Sequence, residues 1–241
     1  MKDVAKSATV SKKWRELWSS IPEWTLEYNS FPNVENKNEK FISFADRVIN
    51  FHQGPGIQSM KIHYDQYDST SLRAEGWIRH LVENNIVRLD TSIYATIQLP
   101  RSLFTCVSLA ELRLNLFFKD LPLPGYAFLP NLKVVFLEQT RFHASIQFER
   151  LNKGCPALED LHMKGCAFFG PDFKCINFSH PKIKSLNIER CGGFEALKVY
   201  IWMPNLLEFR FKGIGLVDQR GLIDLSSLST AVLELKEILY T

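Results

Sequence analysis

Five cysteines and six histidines are the residues of this 241-residue chain best suited to hold a metal or supply a nucleophile. A structural zinc site takes its thiolates from closely spaced pairs, because two ligands on one tight turn fix half of the tetrahedron. Cys155, Cys166, Cys175 and Cys191 are instead separated by 10, 8 and 15 intervening residues, and Cys106 stands farther away. The spacing points away from zinc and toward thiols packed as small hydrophobes. His52, His63, His80, His143, His162 and His180 form no HxxxH pair, and no serine elbow or glycine-rich phosphate loop accompanies them. Gly192-Gly193 and Gly213-Ile214-Gly215 read as turns after strands. Glu159 and Asp160 are adjacent, so in a strand they face opposite ways and cannot act as a dyad. The sequence predicts a protein that is not an enzyme and that uses neither metal nor cofactor.

The pattern that would position these residues is a repeat. An apolar residue, two of any kind, an apolar residue, one of any kind and an apolar residue recur about every two dozen positions. The copies are Ile57-Met60-Ile62, Leu109-Leu112-Leu114, Leu132-Val135-Leu137, Leu158-Leu161-Met163, Ile183-Leu186-Ile188 and Leu206-Phe209-Phe211. Ile86-Leu89-Thr91 is a weaker copy, Thr230-Leu233-Leu235 reads as a last one, and Ile21-Trp24-Leu26 as a degenerate first. Each phrase fits a short strand whose second and third apolar positions point inward. No single unit could bury its apolar side alone, so the stack is the fold.

Between the early strands, Phe41, Phe44, Ala45, Val48 and Ile49 keep helical spacing, as do Trp77, Ile78, Leu81 and Val82. Residues 29–40 read as a polar loop, and Gly54-Pro55-Gly56 as a helix breaker. From Leu109 the units shorten and helical signals thin out, with Phe104, Phe128, Phe148 and Phe178 as inward plugs. Ahead of the repeats, residues 4–20 read as a helix with Trp14, Leu17, Trp18 and Ile21 on one stripe. Those tryptophans either dock on the first repeat or contact another protein.

Hydrophobic content of 46% and charge of 23% are ordinary for a folded protein. A net charge of +3 without a basic block gives no reason to expect nucleic acid. No apolar run is long enough to span a bilayer. An odd cysteine count without a secretory leader suggests a reducing compartment, cytoplasm or nucleus.

Chemistry is therefore expected on the outward side of the strands. One column holds Lys61, Asp90, Arg113, Phe136, His162, Asn187 and Arg210. The next holds His63, Ser92, Asn115, Glu138, Lys164, Glu189 and Lys212; a third holds Ser59, Arg88, Glu111, Val134, Asp160, Ser185 and Glu208. Most of these suit solvated faces with opposite charges paired across strands, each pair contributing little. Phe136 is the exception, and with Arg113 and His162 it makes the aromatic-plus-cation grouping enriched at binding hot spots. Arg88, Glu138, Lys164, Asn187 and Arg210 complete the candidate contact residues, unless loops cover them.

The phrase resembles the leucine-rich repeat, in which Asn or Cys stands three residues after the last apolar strand position. Cys166 and Cys191 hold that place, and Phe117, Thr140 and Ile214 hold it elsewhere. Gly154-Cys155-Pro156-Ala157-Leu158-Glu159-Asp160-Leu161 is similar to the repeats of F-box proteins. Leu129-Pro130-Asn131-Leu132, His180-Pro181-Lys182-Ile183 and Met203-Pro204-Asn205-Leu206 look like the same lead into a strand. Val10-Ser11-Lys12-Lys13-Trp14-Arg15-Glu16-Leu17-Trp18-Ser19-Ser20-Ile21-Pro22 is similar to the closing helix of the plant F-box motif. With Leu99-Pro100-Arg101-Ser102-Leu103-Phe104-Thr105-Cys106, these stretches resemble the plant F-box/FBD/LRR-repeat family over essentially the whole chain.

The resemblance implies an α/β leucine-rich-repeat solenoid: a curved parallel sheet on the concave face, helices and irregular returns on the convex face, and a short N-terminal helical remnant. Residues 1–22 would be the closing part of an F-box and residues 23–241 a repeat domain of about seven to eight units. The first half of the F-box and the FBD region fall outside this sequence, which reads as a piece of a longer product whose last repeat has an uncapped edge. The family's function would make the chain the substrate-recognition adaptor of an SCF-type ubiquitin ligase. It would bind a Skp1-like adaptor through Trp14, Leu17 and Trp18 and an unidentified target protein through the solenoid, and be monomeric outside that complex. The alternative is a repeat module for protein binding without ligase coupling.

Overall fold

The structure is a computed structural model that describes residues 21–50, 57–64, 66, 71–94, 99–121, 123–143, 145–170, 175–193, 198–213, 223–224 and 227–235. Two compact units divide the chain, Met1–Leu103 and Phe104–Thr241. Both are built on parallel strands set by the apolar phrase, the arrangement of a leucine-rich-repeat solenoid.

In the first unit, β1 (Glu23–Glu27), β2 (Ser59–Tyr64) and β3 (Arg88–Ile93) pair in parallel. Trp24 stands opposite Met60 and Met60 opposite Leu89, so the degenerate first phrase and the weak copy are both in register. Alternate residues are buried along each strand, as one covered face requires. Helix α1 (Lys37–Asn50) follows β1 and buries Phe41, Ile42, Ala45, Val48 and Ile49 on one stripe. It begins inside the stretch expected to be loop. Helix α2 (Ser71–Glu83) follows β2 and buries Ala74, Trp77, Ile78 and Leu81.

The end of α2 is specified locally. Asn85 takes a left-handed backbone (φ 60°), which a short polar side chain tolerates. The Asn85 N–H donates to Val82 O and the Ile86 N–H to Leu81 O, both at 3.1 Å. This cap satisfies two terminal carbonyls and delivers Ile86 to the next apolar phrase. The Trp77 indole N–H donates to Asp46 at 2.7 Å and Arg73 pairs with the same carboxylate, tying α2 to α1. Thr91 fills the third apolar position of the weak copy; it is 3% exposed, and its hydroxyl has no partner among the described residues.

In the second unit, β4 (Glu111–Asp120), β5 (Val134–Phe142), β6 (Asp160–Lys164), β9 (Ser185–Glu189), β11 (Glu208–Gly213) and β13 (Thr230–Leu235) form the parallel sheet. The short β7 (Ala167–Phe168) extends it beside the end of β5. Helix α3 (Ser145–Gly154) lies between β5 and β6. Later returns differ from the expected helices and irregular chain: β8 (Cys175–Ser179), β10 (Lys198–Trp202) and β12 (Ile223–Asp224) pair in parallel as a separate sheet. Phe178 and Ile201, register partners in that sheet, are both fully buried. Phe104 is also buried, but Phe128 is 43% exposed and stacks on Tyr126 instead of plugging the core. Phe148 is not among the described side chains.

Two local devices repeat. Leu132 N–H donates to Leu129 O, Leu158 N–H to Cys155 O, and Leu206 N–H to Met203 O, at 3.0–3.2 Å. These are tight turns in which Pro130, Pro156 and Pro204 supply a pre-set φ at the second position. Asn131 and Asn205 each donate back to the preceding turn, at Val107 O and Pro181 O.

The second device is the corner after each strand. Gln139, Gly165 and Arg190 are left-handed there, and each is followed by Thr140, Cys166 or Cys191. The Thr140 hydroxyl donates to Glu138 O at 3.0 Å and the Cys191 thiol to Glu189 O at 3.5 Å. Cys166 and Cys191 also reach one strand back, to Leu137 O at 3.3 Å and Met163 O at 3.6 Å. Phe117 does not share this place: two extra residues bulge from β4, and Lys119 stands opposite Thr140. Ile214 lies outside the described residues. At the following turn Gly193 has φ 97°, and a Cβ there would meet Phe168 O at 2.2 Å, so only glycine fits.

The last phrase is also out of register with expectation. Phe209 stands opposite Ala231 and Phe211 opposite Leu233, so the copy is Leu228-Ala231-Leu233 and not Thr230-Leu233-Leu235. Pairing overrode a pattern that apolar residues two positions later happened to satisfy.

Candidate protein-binding face

The outward columns align as the repeat implies. Arg113, Phe136, His162, Asn187 and Arg210 are successive register partners across β4, β5, β6, β9 and β11. The Arg113 guanidinium lies 3.7 Å over the Phe136 ring, and the imidazole of His162 stacks on that ring at 4.0 Å with planes 2° apart. All three side chains are half-buried. Arg113 is fixed by Glu111 at 2.5 Å, so its plane is held over the ring. A cation over an aromatic ring contributes about 0.5–1 kcal/mol at exposed sites and more when water is excluded.

Burial pushes His162 below its ordinary value of 6.5, with Asp160 pulling the other way and the Arg113 charge adding to the depression. The imidazole is therefore neutral near pH 7, which suits a ring stacked beside a guanidinium. Asp160 is pushed upward, chiefly by burial.

Other candidates are engaged with neighbours. Lys164 pairs with Glu138 at 2.8 Å, an exposed contact worth about 0.2–1 kcal/mol. Arg88 lies in the first unit and pairs with Glu23. Asn187 donates from Nδ2 to Glu189 at 3.3 Å, while its Oδ1 is buried without a partner among the described residues. Arg210 is exposed. Trp14, Leu17 and Trp18 lie outside the described residues.

The structure adds residues that the sequence reading placed in a column but did not single out. A depression of about 450 Å³ is lined by Phe136, His162, Asp160, Ser185 and Glu208, together with Val134, Lys184 and Leu207. A second, of about 280 Å³, shares His162, Ser185 and Glu208 and adds Asn187 and Arg210. Val134, Asp160, Ser185, Glu208 and Thr230 are successive register partners here, and the sequence column that held the first four gave no sign of a depression.

Cys106, Cys155, Cys166, Cys191 and His180 are buried, and Cys175 is half-buried. Burial pushes the Cys155 thiol up to about 12, and the hydrogen bond with Cys166, together with burial, holds Cys191 well above its ordinary value of 9.0. All five thiols are free. His180 is 3% exposed, bonded at Nε2 to Cys155 O (3.1 Å) and at Nδ1 to the Lys182 N–H (3.2 Å). Among the described residues no group of side chains is arranged to hold a metal ion, and no helix is long and apolar enough to cross a membrane.

Residues 74–209 match the family model described as FBD-associated F-box protein At5g56370, LRR repeats. Among Arabidopsis thaliana relatives, Putative F-box/FBD/LRR-repeat protein At5g25850 is 34% identical over 67% of this chain and 32% of its own length. F-box/LRR-repeat protein 13 is 32% identical over 66% of this chain and 36% of its own. F-box/FBD/LRR-repeat protein At1g51370 is 27% identical over 88% and 45%. The chain thus spans less than half the length of each of these relatives. No solved structure matches it.

Proposed function

Because the chain belongs to the plant F-box/FBD/LRR-repeat family, we propose that it is the substrate-recognition subunit of an SCF-type ubiquitin ligase, holding a target protein on its repeat face. In this role it is an adaptor and performs no chemistry itself. The observation that carries the reading is the Arg113–Phe136–His162 stack, an ordered cation–aromatic ladder beside an open depression on a strand face. Arginine and aromatic side chains dominate binding hot spots, because they bury much surface for few rotatable bonds. Glu138, Lys164, Asn187 and Arg210 frame the same face in the second unit. Free thiols suit a cytoplasmic or nuclear location.

Coupling to the ligase rests on the stretch from Val10 to Pro22 and its resemblance to an F-box closing helix. Co-expression with a Skp1-type adaptor, followed by affinity capture, tests it. The two chains should co-purify, and a double Trp14→Ala, Trp18→Ala variant should lose the adaptor while keeping its melting temperature. Failure of the folded wild-type chain to capture the adaptor overturns the ligase assignment.

A further inference from the structure

The carboxylates of the second unit's strand face are almost all engaged. Glu111 holds Arg113, Glu138 holds Lys164, Glu189 accepts from Asn187, and Glu234 pairs with Lys212. At the lip of the face, Glu159 is taken by Lys184 at 2.6 Å. The carboxylates of Asp160 and Glu208 have no ion-pair or hydrogen-bond partner among the described residues, and both residues line the larger depression. They are register partners of Ser185 from either side, which sets their strands roughly 10 Å apart. That gap accommodates one planar cation with a carboxylate at each edge.

The wall of the depression favours the same occupant. His162 presents one ring face to Phe136 and, as a lining residue, contributes to the depression with Ser185 and Glu208. A guanidinium laid against the imidazole would continue the order already present: cation, ring, ring, cation. Burial keeps His162 neutral near pH 7 and raises Asp160 against the opposing pull of His162 and Lys184, so the carboxylate is more desolvated than its neighbours compensate. Lys184 also lines the space, but its charge is answered by Glu159. Arg210 belongs to the neighbouring depression. Arginine fits better than lysine, because its planar fork can serve two carboxylates while stacking on a ring.

We propose that the depression over Ser185 is a specificity pocket for an arginine side chain of the protein partner, with Asp160 and Glu208 as its two acceptors and His162 as its stacking platform. This rests on the strand face being the surface that binds the partner.

A phage-displayed random-peptide library selected on the intact chain supplies the probe. Selected peptides are resynthesised with arginine replaced by citrulline, its uncharged near-isostere. Binding should weaken about tenfold on that replacement, the loss expected for one charge-assisted contact. Asp160→Asn and Glu208→Gln should each weaken the arginine peptide by a similar factor and leave the citrulline peptide unchanged. Both substitutions keep side-chain size, and unaltered melting curves confirm folding. Peptides that lose affinity in Phe136→Ala but ignore citrulline, D160N and E208Q overturn the pocket and leave the binding face standing. No selected peptide, or peptides indifferent to all three substitutions, overturns the pocket and the face together.

Discussion

The first unit returns from strand to strand through helices α1 and α2, whereas the second runs three of its returns as strands β8, β10 and β12. Repeat length follows from this choice. A helix advances about 1.5 Å per residue and a strand about 3.3 Å, so the same return span takes fewer residues when extended. Met60 to Leu89 is a step of 29 positions, while Leu186 to Phe209 is 23. Hydrogen bonding differs too. A helical return satisfies its own backbone, but a strand return must borrow donors and acceptors from the next repeat. The second unit should therefore be the more cooperative, with damage in one return felt in its neighbours.

The sharpest way to break that contrast is Phe178→Ala in β8, which empties a fully buried aromatic site. It should cost about 3–5 kcal/mol in denaturant titration. Hydrogen exchange should show lost protection in β10 as well as β8; loss confined to β8 would remove the cooperative reading. Trp77→Phe is the matching test in the first unit. It removes a hydrogen bond to the Asp46 carboxylate and should cost about 1.5–3 kcal/mol, with exchange rising in α1 and α2.

A change of opposite sign follows from Thr91, whose buried hydroxyl lacks a partner among the described residues. Thr91→Val should stabilise the first unit by about 1–2 kcal/mol, read as a higher midpoint at unchanged slope. The smallest effect is a pH slope. His180, like His162, is held below its ordinary value of 6.5, chiefly by burial. The unfolded chain takes up protons that the folded second unit refuses, so stability is full above pH 6.5 and falls as pH drops toward the folded values. His180→Gln, which keeps a donor for Cys155 O, should flatten part of that slope; an unchanged slope would assign it elsewhere.

Within each unit the register of the outward columns was legible, Lys61 beside Asp90 and Arg113 through Arg210, because alternation along each strand and the repeat period constrain each other. Helices α1 and α2 were legible from their apolar stripes. The strand returns were not: Lys198–Trp202 is five residues long, too short for periodicity to distinguish a strand from irregular chain. The bulge at Phe117 and Phe118 was hidden because both residues suit a strand, and only the pairing of Lys119 with Thr140 reveals the insertion. At the last phrase, Leu233 and Leu235 satisfied the pattern in the wrong register. The Arg113–Phe136–His162 grouping was visible as a column, but the depression beside it needed geometry: Asp160 and Glu208 become notable only when every other acid on the face is seen to be paired.

The backward hydrogen bonds of Asn131 and Asn205 carry a consequence for descent. Each bond spans 24 positions and ends in the turn immediately before, never farther. A repeat duplicated or deleted whole would find the same carbonyl waiting at the same distance. Inheritance can thus lengthen or shorten this array by copying one cassette, and each new strand brings three fresh outward positions on which selection can write a different partner.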